Sequence, residues 1–252
     1  MLHRLAIALT TLLGLVGAAV VAGYLLVFAV GTDRMAAAVP ADAATYATVY
    51  LQPTTGQQMN LATLMSNVPG FADAASLDQK IHEISARFLG QAGIDYEADV
   101  RPWIGNQLSI AAKPGAALAD QPRWLLLASV KDAALAREAL DRIATGRGLT
   151  GAGATYQEVP ITIAQGLAWA VQPDLLILAP DRAALAEALD AYADRRPSLA
   201  DKPEYIVAMR RLPADHLAAA YLDLEALAEA AGIGDQLSGY SAVGAALMAE
   251  PT

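Results

Sequence analysis

The chain has 252 residues, enough for one sizeable domain or two small ones beside an anchor. Apolar residues make up 55%, and acidic residues outnumber basic ones by 26 to 17, so the formal charge of −9 repels phosphate backbones and excludes nucleic acid as an expected partner. No cysteine is present, which excludes disulfides, thiolate metal sites and cysteine nucleophiles.

A long apolar run lies near the start of the chain. Residues 5–30, LAIALTTLLGLVGAAVVAGYLLVFAV, form a stretch of 26 residues without a charge, and a helix needs about 20 to cross a bilayer core. A cleaved secretory signal has an apolar core of only about 7–15 residues. Residues 1–34 are therefore predicted to be a cytoplasmic stub and an uncleaved transmembrane signal-anchor. Two alternatives are cleavage near the small residues 36–38 and a buried helix of a soluble protein.

The charges beside this run set its expected orientation. Arg4, His3 and the initiator amine precede it, whereas Asp33 and Arg34 follow it and cancel. Positive residues stay on the cytoplasmic side of a membrane helix. Arg outnumbers Lys and Ala is abundant, which is typical of a GC-rich bacterial genome. We therefore expect a single pass through a bacterial cell membrane, with the C-terminal domain extracytoplasmic, in the cell envelope.

Small residues follow one face of the predicted transmembrane helix. Gly14, Ala18 and Ala22 recur every four residues, with Ala19 and Gly23 beside them. Such a stripe lets two helix backbones approach closely. It predicts packing against another membrane protein or a second copy, in addition to the lipid bilayer. The alternative is that Ala and Gly are simply common in this chain.

The first segments after the anchor predict a linker, a strand and a helix. Residues 35–44 contain Pro40 and are predicted to be a linker. Residues 45–51 alternate Ala, Val and Leu with Tyr and Thr, which predicts a half-buried strand with its tyrosines on the polar side. A helix is predicted next, with an apolar stripe formed by Leu77, Ile81, Ile84 and Phe88. This stripe should face a sheet that contains the strand at 45–51 and a second strand at 107–112.

Later segments continue the alternation of strands and helices. Helices are predicted after Asp132 and Asp181 as N-caps and at residues 224–231. Further strands are predicted at residues 124–130, 154–159, 161–165, 167–172, 175–179, 216–223 and 242–249. The pattern indicates an α+β domain over residues 45–252, with a mostly antiparallel sheet and helices on one face. Two ferredoxin-like repeats are one possible arrangement, and the apolar ending leaves open a domain that is C-terminally incomplete.

Four short stretches resemble a known family. They are VPADAATY at residues 39–46, GIDYEADVRPWIG at 93–105, SLAD at 198–201 and LPAD…AYLDL at 212–224. The chain is similar here to the DUF3352 family of bacterial proteins. The resemblance implies an N-terminal membrane helix and an uncharacterised function, and many members are about twice this length. It supplies no active-site residues.

One glycine pattern matches a nucleotide-binding motif only in its letters. Residues 146–151, GRGLTG, fit G-x-G-x-x-G. A dinucleotide site needs this loop after a strand and before a helix, so that helix amides meet the pyrophosphate. Here it follows a predicted helix and precedes a strand, so a helix end and a turn are the better interpretation.

The polar residues predict no conventional site for catalysis or metal binding. His82 has no second histidine four residues later, as a zinc protease requires. Asp95, Glu97 and Asp99 lack the glycine and glutamate of a calcium loop, and acidic residues leading into a helix or turn explain them better. Trp103 is expected to be a buried anchor.

These observations predict topology more firmly than activity. We expect a membrane-anchored interaction or accessory domain, not an enzyme, with no cofactor and with no catalytic, cofactor-binding or metal residue identified. An exported ligand- or peptide-binding module is the alternative. An envelope hydrolase is a further alternative, because a Ser-His-Asp set could assemble in three dimensions although no G-x-S-x-G segment occurs.

Overall fold

In this computed structural model, one antiparallel sheet of nine strands organises the part of the chain that the structure describes. The structure describes residues 33–51, 94–114, 123–149, 151–213, 216–232 and 241–248. The predicted anchor with its small-residue stripe, and the predicted helix at 77–88, lie outside these residues. Within the described residues, no helix is both long enough and apolar enough to cross a membrane.

The strands run in the order β4-β5-β6-β7-β3-β2-β1-β8-β9, and every neighbouring pair is antiparallel. They are β1 (Thr45–Tyr50), β2 (Ile104–Lys113), β3 (Arg123–Val130), β4 (Ala152–Tyr156), β5 (Val159–Ala164), β6 (Leu167–Val171), β7 (Leu175–Ala179), β8 (Ala218–Asp223) and β9 (Ala242–Leu247). The predicted α+β class with an antiparallel sheet is confirmed. The first strand in the sequence lies inside the sheet, between β2 and β8.

Four α-helices accompany the strands in the described residues. They are α1 (Ala133–Gly146), α2 (Arg182–Tyr192), α3 (Pro203–Arg210) and α4 (Leu224–Ala231), with short helical turns at Met35–Ala38, Tyr96–Val100 and Leu199–Asp201. Asp132, Asp181 and Asp223 each cap a helix by accepting hydrogen bonds from backbone amides of its first turn. The predicted caps at Asp132 and Asp181 are therefore confirmed. Helix α3, with Pro203 at its first position, was not predicted.

Helices cover both faces of the sheet, so the prediction of helices on one face was wrong. On one face, Ile177 packs in a cluster with Leu185 and Leu189 of α2. On the opposite face, Trp169 packs in a cluster with Ala136 and Ala139 of α1. We call these the α2 face and the α1 face. The reason lies in β6 and β7, whose sequences LAWAV and LLILA are apolar on both sides and need cover on both.

The strand order also differs from two ferredoxin-like repeats. In such a repeat, strands joined by a crossover helix lie two places apart, with another strand between them. Here β1 pairs directly with β2, and β2 pairs with β3. Helix α1 leads from β3 to β4, at the far edge of the sheet, and a meander of four strands returns to β7 beside β3. The meander, rather than a repeat, builds this half of the sheet.

Residues 35–44 belong to the core, and the prediction that they form a linker was wrong. Ala36, Val39 and Ala44 are fully buried, and Met35 lies in the cluster on the α2 face. Backbone bonds join this segment to residues far along the chain: the amide of Leu199 donates to Val39 at 2.7 Å. Small apolar side chains allow this close packing, which a free linker would not need.

A two-residue turn explains why one strand boundary was misplaced. The turn at Gln157 and Glu158, both with positive φ, joins β4 to β5. Such turns favour Asn and Gly, so Gln157 and Glu158 are not a recognisable turn signal, and a strand was predicted through them. Pro160 was taken as a break but lies inside β5. Pairing of β5 with β6 begins only at Thr162, so the missing N–H leaves that ladder intact.

Candidate functional site

A carboxylate at the beginning of the described chain is the centre of a polar cluster on the α2 face. Asp33 Oδ1 accepts hydrogen bonds from Tyr46 OH at 2.7 Å and from Gln107 Nε2 at 2.7 Å. Its Oδ2 accepts from Tyr205 OH at 2.6 Å. The amides of Met35 and Ala36 also donate to Oδ1, at 3.0 and 3.3 Å. Five donors therefore converge on one carboxylate. We call Asp33 and the three side chains that bond to it, those of Tyr46, Gln107 and Tyr205, the Asp33 cluster.

The strand pairing positions these partners. In β1, Tyr46, Thr48 and Tyr50 alternate onto the α2 face. They lie opposite Ala111, Ser109 and Gln107 of β2 in the pairing register. The predicted polar side of this strand is thus its buried side, since Tyr46, Thr48 and Tyr50 are at most 2% exposed.

Hydrogen bonds between neighbouring strands extend the Asp33 cluster. Ser109 Oγ donates to Thr48 Oγ1 at 2.8 Å, and Gln107 Nε2 also lies 2.9 Å from Thr48 Oγ1. The backbone N–H of Gln107 donates to Ser129 Oγ of β3 at 2.8 Å. Buried polar groups are costly unless they are paired. The network therefore makes a polar interior tolerable and fixes how β1, β2 and β3 sit beside Asp33.

The tyrosines of the Asp33 cluster are held in their neutral, donating form. Burial, and then the negative charge of Asp33, raise the pKa of Tyr46 well above its usual value. The same two causes raise the pKa of Tyr205. Ionising either phenol would place a second negative charge beside Asp33 in a buried setting. The cluster is thus built to hold one negative charge by neutral donors.

Aromatic rings extend the cluster toward the far end of the chain. Tyr205 contacts Tyr46 and Tyr221 edge to face, with ring centroids 5.9 and 5.3 Å apart. His216 stacks at an angle on Tyr50 at 5.7 Å. The hydroxyl of Tyr221 is buried without a hydrogen-bond partner among the described residues. Burial raises the pKa of Tyr221, so this ring also stays neutral.

A second polar feature is a shallow groove beside β2 and β3. Asp42 pairs with Lys113 and lies 3.5 Å from Arg196, which in turn lies 3.3 Å from Glu187. Glu187 also pairs with Arg123 at 2.9 Å. These side chains are partly exposed, so water screens their attraction. Each of these charges is in an ion pair, but Arg123 Nε is buried without a hydrogen-bond partner among the described residues.

The sequence patterns weighed for chemistry have structural roles. Helix α1 ends at Gly146 and β4 begins at Ala152, so the glycine pattern is a helix end and turn, as predicted, with Gly148 at φ 65°. Asp95 caps the turn Tyr96–Val100, and Asp99 pairs with Arg142 at 3.2 Å.

The predicted interpretation of Trp103 is also confirmed. It is 5% exposed, and its indole N–H donates to the backbone of Asp99. Among the described residues, no three His, Cys, Asp or Glu side chains are grouped so that they could hold a metal ion. His3 and His82 lie outside the described residues, as do Gly14, Ala18, Ala19, Ala22 and Gly23.

Asp33 was missed as a site residue because its sequence context suggests only a flanking charge. It stands 13 residues from Tyr46, 74 from Gln107 and 172 from Tyr205. No local pattern links residues so far apart. The one available signal was the alternation of Tyr and Thr in β1, which marks a face able to donate hydrogen bonds.

The nine-stranded antiparallel sheet with helices on both faces places the described part of the chain in the α+β class. The sequence model of DUF3352, described as a protein of unknown function, matches residues 5–251. The chain belongs to this family.

Comparisons with other proteins are more distant. A search of the curated proteins gave no match. Among solved structures, two crystal forms of TP0453 are similar at 11% and 9% identity, with TM-scores of 0.35 and 0.38. The alignments cover 75% and 77% of this chain and 63% and 64% of those chains, so this chain spans less than two thirds of their length.

Proposed function

We propose that this protein is a membrane-anchored, extracytoplasmic interaction or accessory domain that is mounted rigidly on its anchor. The observation that carries this proposal is the position of Asp33. Only Gly31 and Thr32 separate Asp33 from the end of the apolar run at residue 30. Its side chain is nevertheless bound to β1, β2 and α3 through Tyr46, Gln107 and Tyr205.

A rigid attachment follows from these contacts if residues 5–30 span the bilayer. The segment after Asp33 is held to the region around residue 198 by backbone bonds on both sides of Pro40. No long flexible stretch is therefore left to separate the bilayer from the sheet. The domain would stand at the membrane surface in one orientation, which suits a scaffold or an accessory subunit of an envelope complex.

The filled faces of β6 and β7 favour an interaction role over a ligand-binding module. Side chains of α1 and α2 occupy both faces of β6 and β7. Small-molecule sites are usually concave and apolar, with a few polar groups directed inward. The groove between Asp42 and Glu187 has an apolar floor and a rim of ion pairs, but its volume of about 20 Å³ is too small for more than a water-sized molecule. We propose no catalytic role, because the polar groups of the Asp33 cluster satisfy one another.

Topology is the first test. A periplasmic reporter enzyme fused after residue 60, or after the last residue, should be active only outside the cytoplasm. Activity of a cytoplasmic reporter at the same positions would overturn the anchored, extracytoplasmic assignment.

Rigid mounting is tested separately by the tumbling of the domain. Because the chain has no cysteine, Thr155→Cys provides one labelling site on exposed β4. In lipid nanodiscs, fluorescence anisotropy of this label should decay slowly with the whole particle. A short Gly/Ser spacer inserted between Thr32 and Asp33 should add a fast decay, whereas the same spacer at the exposed turn of Gly148 should not. Equal decays for wild type and the Thr32 spacer would contradict a rigid joint.

A further inference from the structure

The two edges of the sheet differ in how they meet solvent. Of the large apolar residues that are exposed in the described chain, Leu222, Val207 and Val243 lie at the β9 end, and Leu135 lies on α1. Leu222 and Val243 are directly opposite each other on β8 and β9, on the α1 face. Val207 belongs to α3, which packs on β9 from the α2 face. The β9 edge is therefore bordered by exposed apolar side chains on both faces.

The strand itself carries no feature that would block pairing. Residues 241–248, SAVGAALM, contain no charge and no proline. Natural edge strands are usually protected by lysine, proline, bulges or covering segments. At the other edge, the exposed residues of β4 are small or polar, and Tyr156 at its end is bound to Asp190. In the part of the chain that the structure describes, no strand lies beyond β9.

The backbone of β9 presents an open ladder. The carbonyls of Ser241 and Leu247 accept hydrogen bonds from amides next to β8. Strand geometry directs successive residues to opposite sides, so the N–H and C=O groups of Ala242, Gly244 and Ala246 point away from β8. The chemical group that completes such a row is the backbone of another strand.

We propose that this edge pairs with β9 of a second copy of the same chain, in antiparallel orientation about a twofold axis. The absence of charge along β9 indicates which partner strand pairs with it. The chain has a formal charge of −9, yet residues 241–248 carry no ionisable group, so a charged segment would find no counter-charge along this strand. The required partner is a neutral strand of small apolar residues, and a second copy supplies one.

Symmetry also fits this arrangement. A twofold interface uses the same patch on both copies. If Ala245 lies opposite Ala245 of the second copy, Val243 faces Leu247 of that copy on the α1 face, and Gly244 can bond to Ala246 of that copy. Both copies then keep their α2 faces, and so Asp33, on the same side of the joined sheet. This geometry allows two anchors to enter one bilayer, and to this extent the inference rests on the proposed function.

Cysteine cross-linking tests the pairing directly in the full-length chain, in mild detergent and in membranes. Opposite residues that do not exchange hydrogen bonds have closely spaced Cβ atoms, within the range that a disulfide needs. Ala245→Cys should therefore form a covalent dimer on mild oxidation. Thr155→Cys, on the exposed β4 edge, is the matched control and should remain monomeric.

Light scattering after size-exclusion chromatography provides the second measurement. The wild-type chain should have twice the monomer mass after correction for detergent, and Val243→Lys should reduce it to the monomer. Thr155→Lys, a lysine on the other edge, should leave the dimer unchanged. The same dimer should persist in Ala18→Leu with Ala22→Leu, which removes close packing of the anchors.

Three results would overturn the proposal. They are a monomeric wild type, cross-linking at Ala245→Cys no greater than at Thr155→Cys, and cross-linking of that position in membranes only to a different polypeptide. A cytoplasmic result in the reporter test would leave these measurements interpretable, because β9 pairing is assayed independently of topology.

Discussion

Two halves of one sheet are stabilised by different chemistry. In the apolar half, β3 to β7, side chains of α1 and α2 cover both faces of β6 and β7, and Ile177, Leu185 and Leu189 are at most 2% exposed. In the polar half, β2, β1, β8 and β9, the buried side chains next to Asp33 are Tyr, Thr, Gln and Ser. The first half depends on volume and shape, the second on hydrogen bonds to one carboxylate. A single sheet can thus combine a close-packed core with a polar joint.

The largest difference between the halves should appear when volume is removed. Leu185→Ala in α2 empties a fully buried position in the apolar half. We expect the free energy of unfolding to fall by about 2–5 kcal/mol, as in other large-to-small core changes. Urea unfolding followed by circular dichroism measures it. Leu135→Ala, at a position 40% exposed on α1, should change stability by less than about 1 kcal/mol, and a similar loss at both sites would refute the core assignment.

Removing the carboxylate should weaken the polar half without removing much volume. Asp33→Ala removes the acceptor of the Tyr205 hydroxyl and one of the two acceptors of the Tyr46 hydroxyl and of Gln107 Nε2. We expect a loss of about 1–3 kcal/mol in unfolding free energy, because buried donors without partners are costly. Asp42→Ala removes an exposed ion pair with Lys113 and should cost only about 0–1 kcal/mol. Equal effects would mean that the Asp33 cluster does not stabilise the fold.

The glycines of the two edge strands provide a matched comparison at smaller scale. A Cβ at Gly244 in β9 would lie 3.1 Å from the backbone oxygen of Ala208, whereas one at Gly153 in β4 meets nothing within 4 Å. Gly244→Ala should therefore lower stability by about 1 kcal/mol through overpacking against α3. Gly153→Ala should raise it by about 0.4–1 kcal/mol, because the unfolded chain loses freedom. The same sign at both positions would place α3 elsewhere.

The smallest expected effect is a difference in how the unfolding free energy depends on pH. Folding raises the pKa of Tyr46 and Tyr205 above the value of about 10 in an unfolded chain. Their contribution to stability is therefore complete below about pH 10 and declines as pH rises toward the higher pKa of the folded state. Tyr205→Phe should make the loss of stability above pH 10 less steep than in wild type.

A control for this titration lies outside the Asp33 cluster. Burial, followed by the hydrogen bond to Asp174, raises the pKa of Tyr192 to about 12. Tyr192→Phe should reduce the alkaline slope less than Tyr205→Phe, because Tyr192 is more exposed and lacks the contact with Asp33. Chemical unfolding at a series of pH values measures both slopes. If neither substitution alters the slope of stability against pH, ionisation of these two phenols is not linked to folding.

Local signals in the sequence predicted the apolar half better than the polar half. The segment 175–179 is an unbroken apolar run between Asp174 and Pro180, and the strand has those bounds. Asp181 before an alanine- and leucine-rich stretch marked α2 correctly. The covering of both faces could have been inferred from β6 and β7, because neither has a polar side.

The polar half was harder to predict because its contacts join distant residues. The alternation in β1 was assigned to the correct strand, but its Tyr and Thr side was taken as the exposed one. That face is buried only because Asp33, Gln107 and Tyr205 bring hydrogen-bonding partners to it. Helix α3, which carries Tyr205, was also missed, since its eight residues are too few for a clear periodicity. The candidate site could therefore not be derived from any single segment.

The position of β1 has a consequence for the order in which the chain can fold. This strand is among the first parts of the domain to be synthesised, yet its neighbour β8 is complete only at Asp223. Asp33 likewise cannot bond to the Tyr205 hydroxyl until a further 172 residues have been synthesised. Contacts of such long sequence separation form slowly. Until β8 arrives, one side of β1 and its buried tyrosines stay open, so a nascent chain needs protection from aggregation over most of its length.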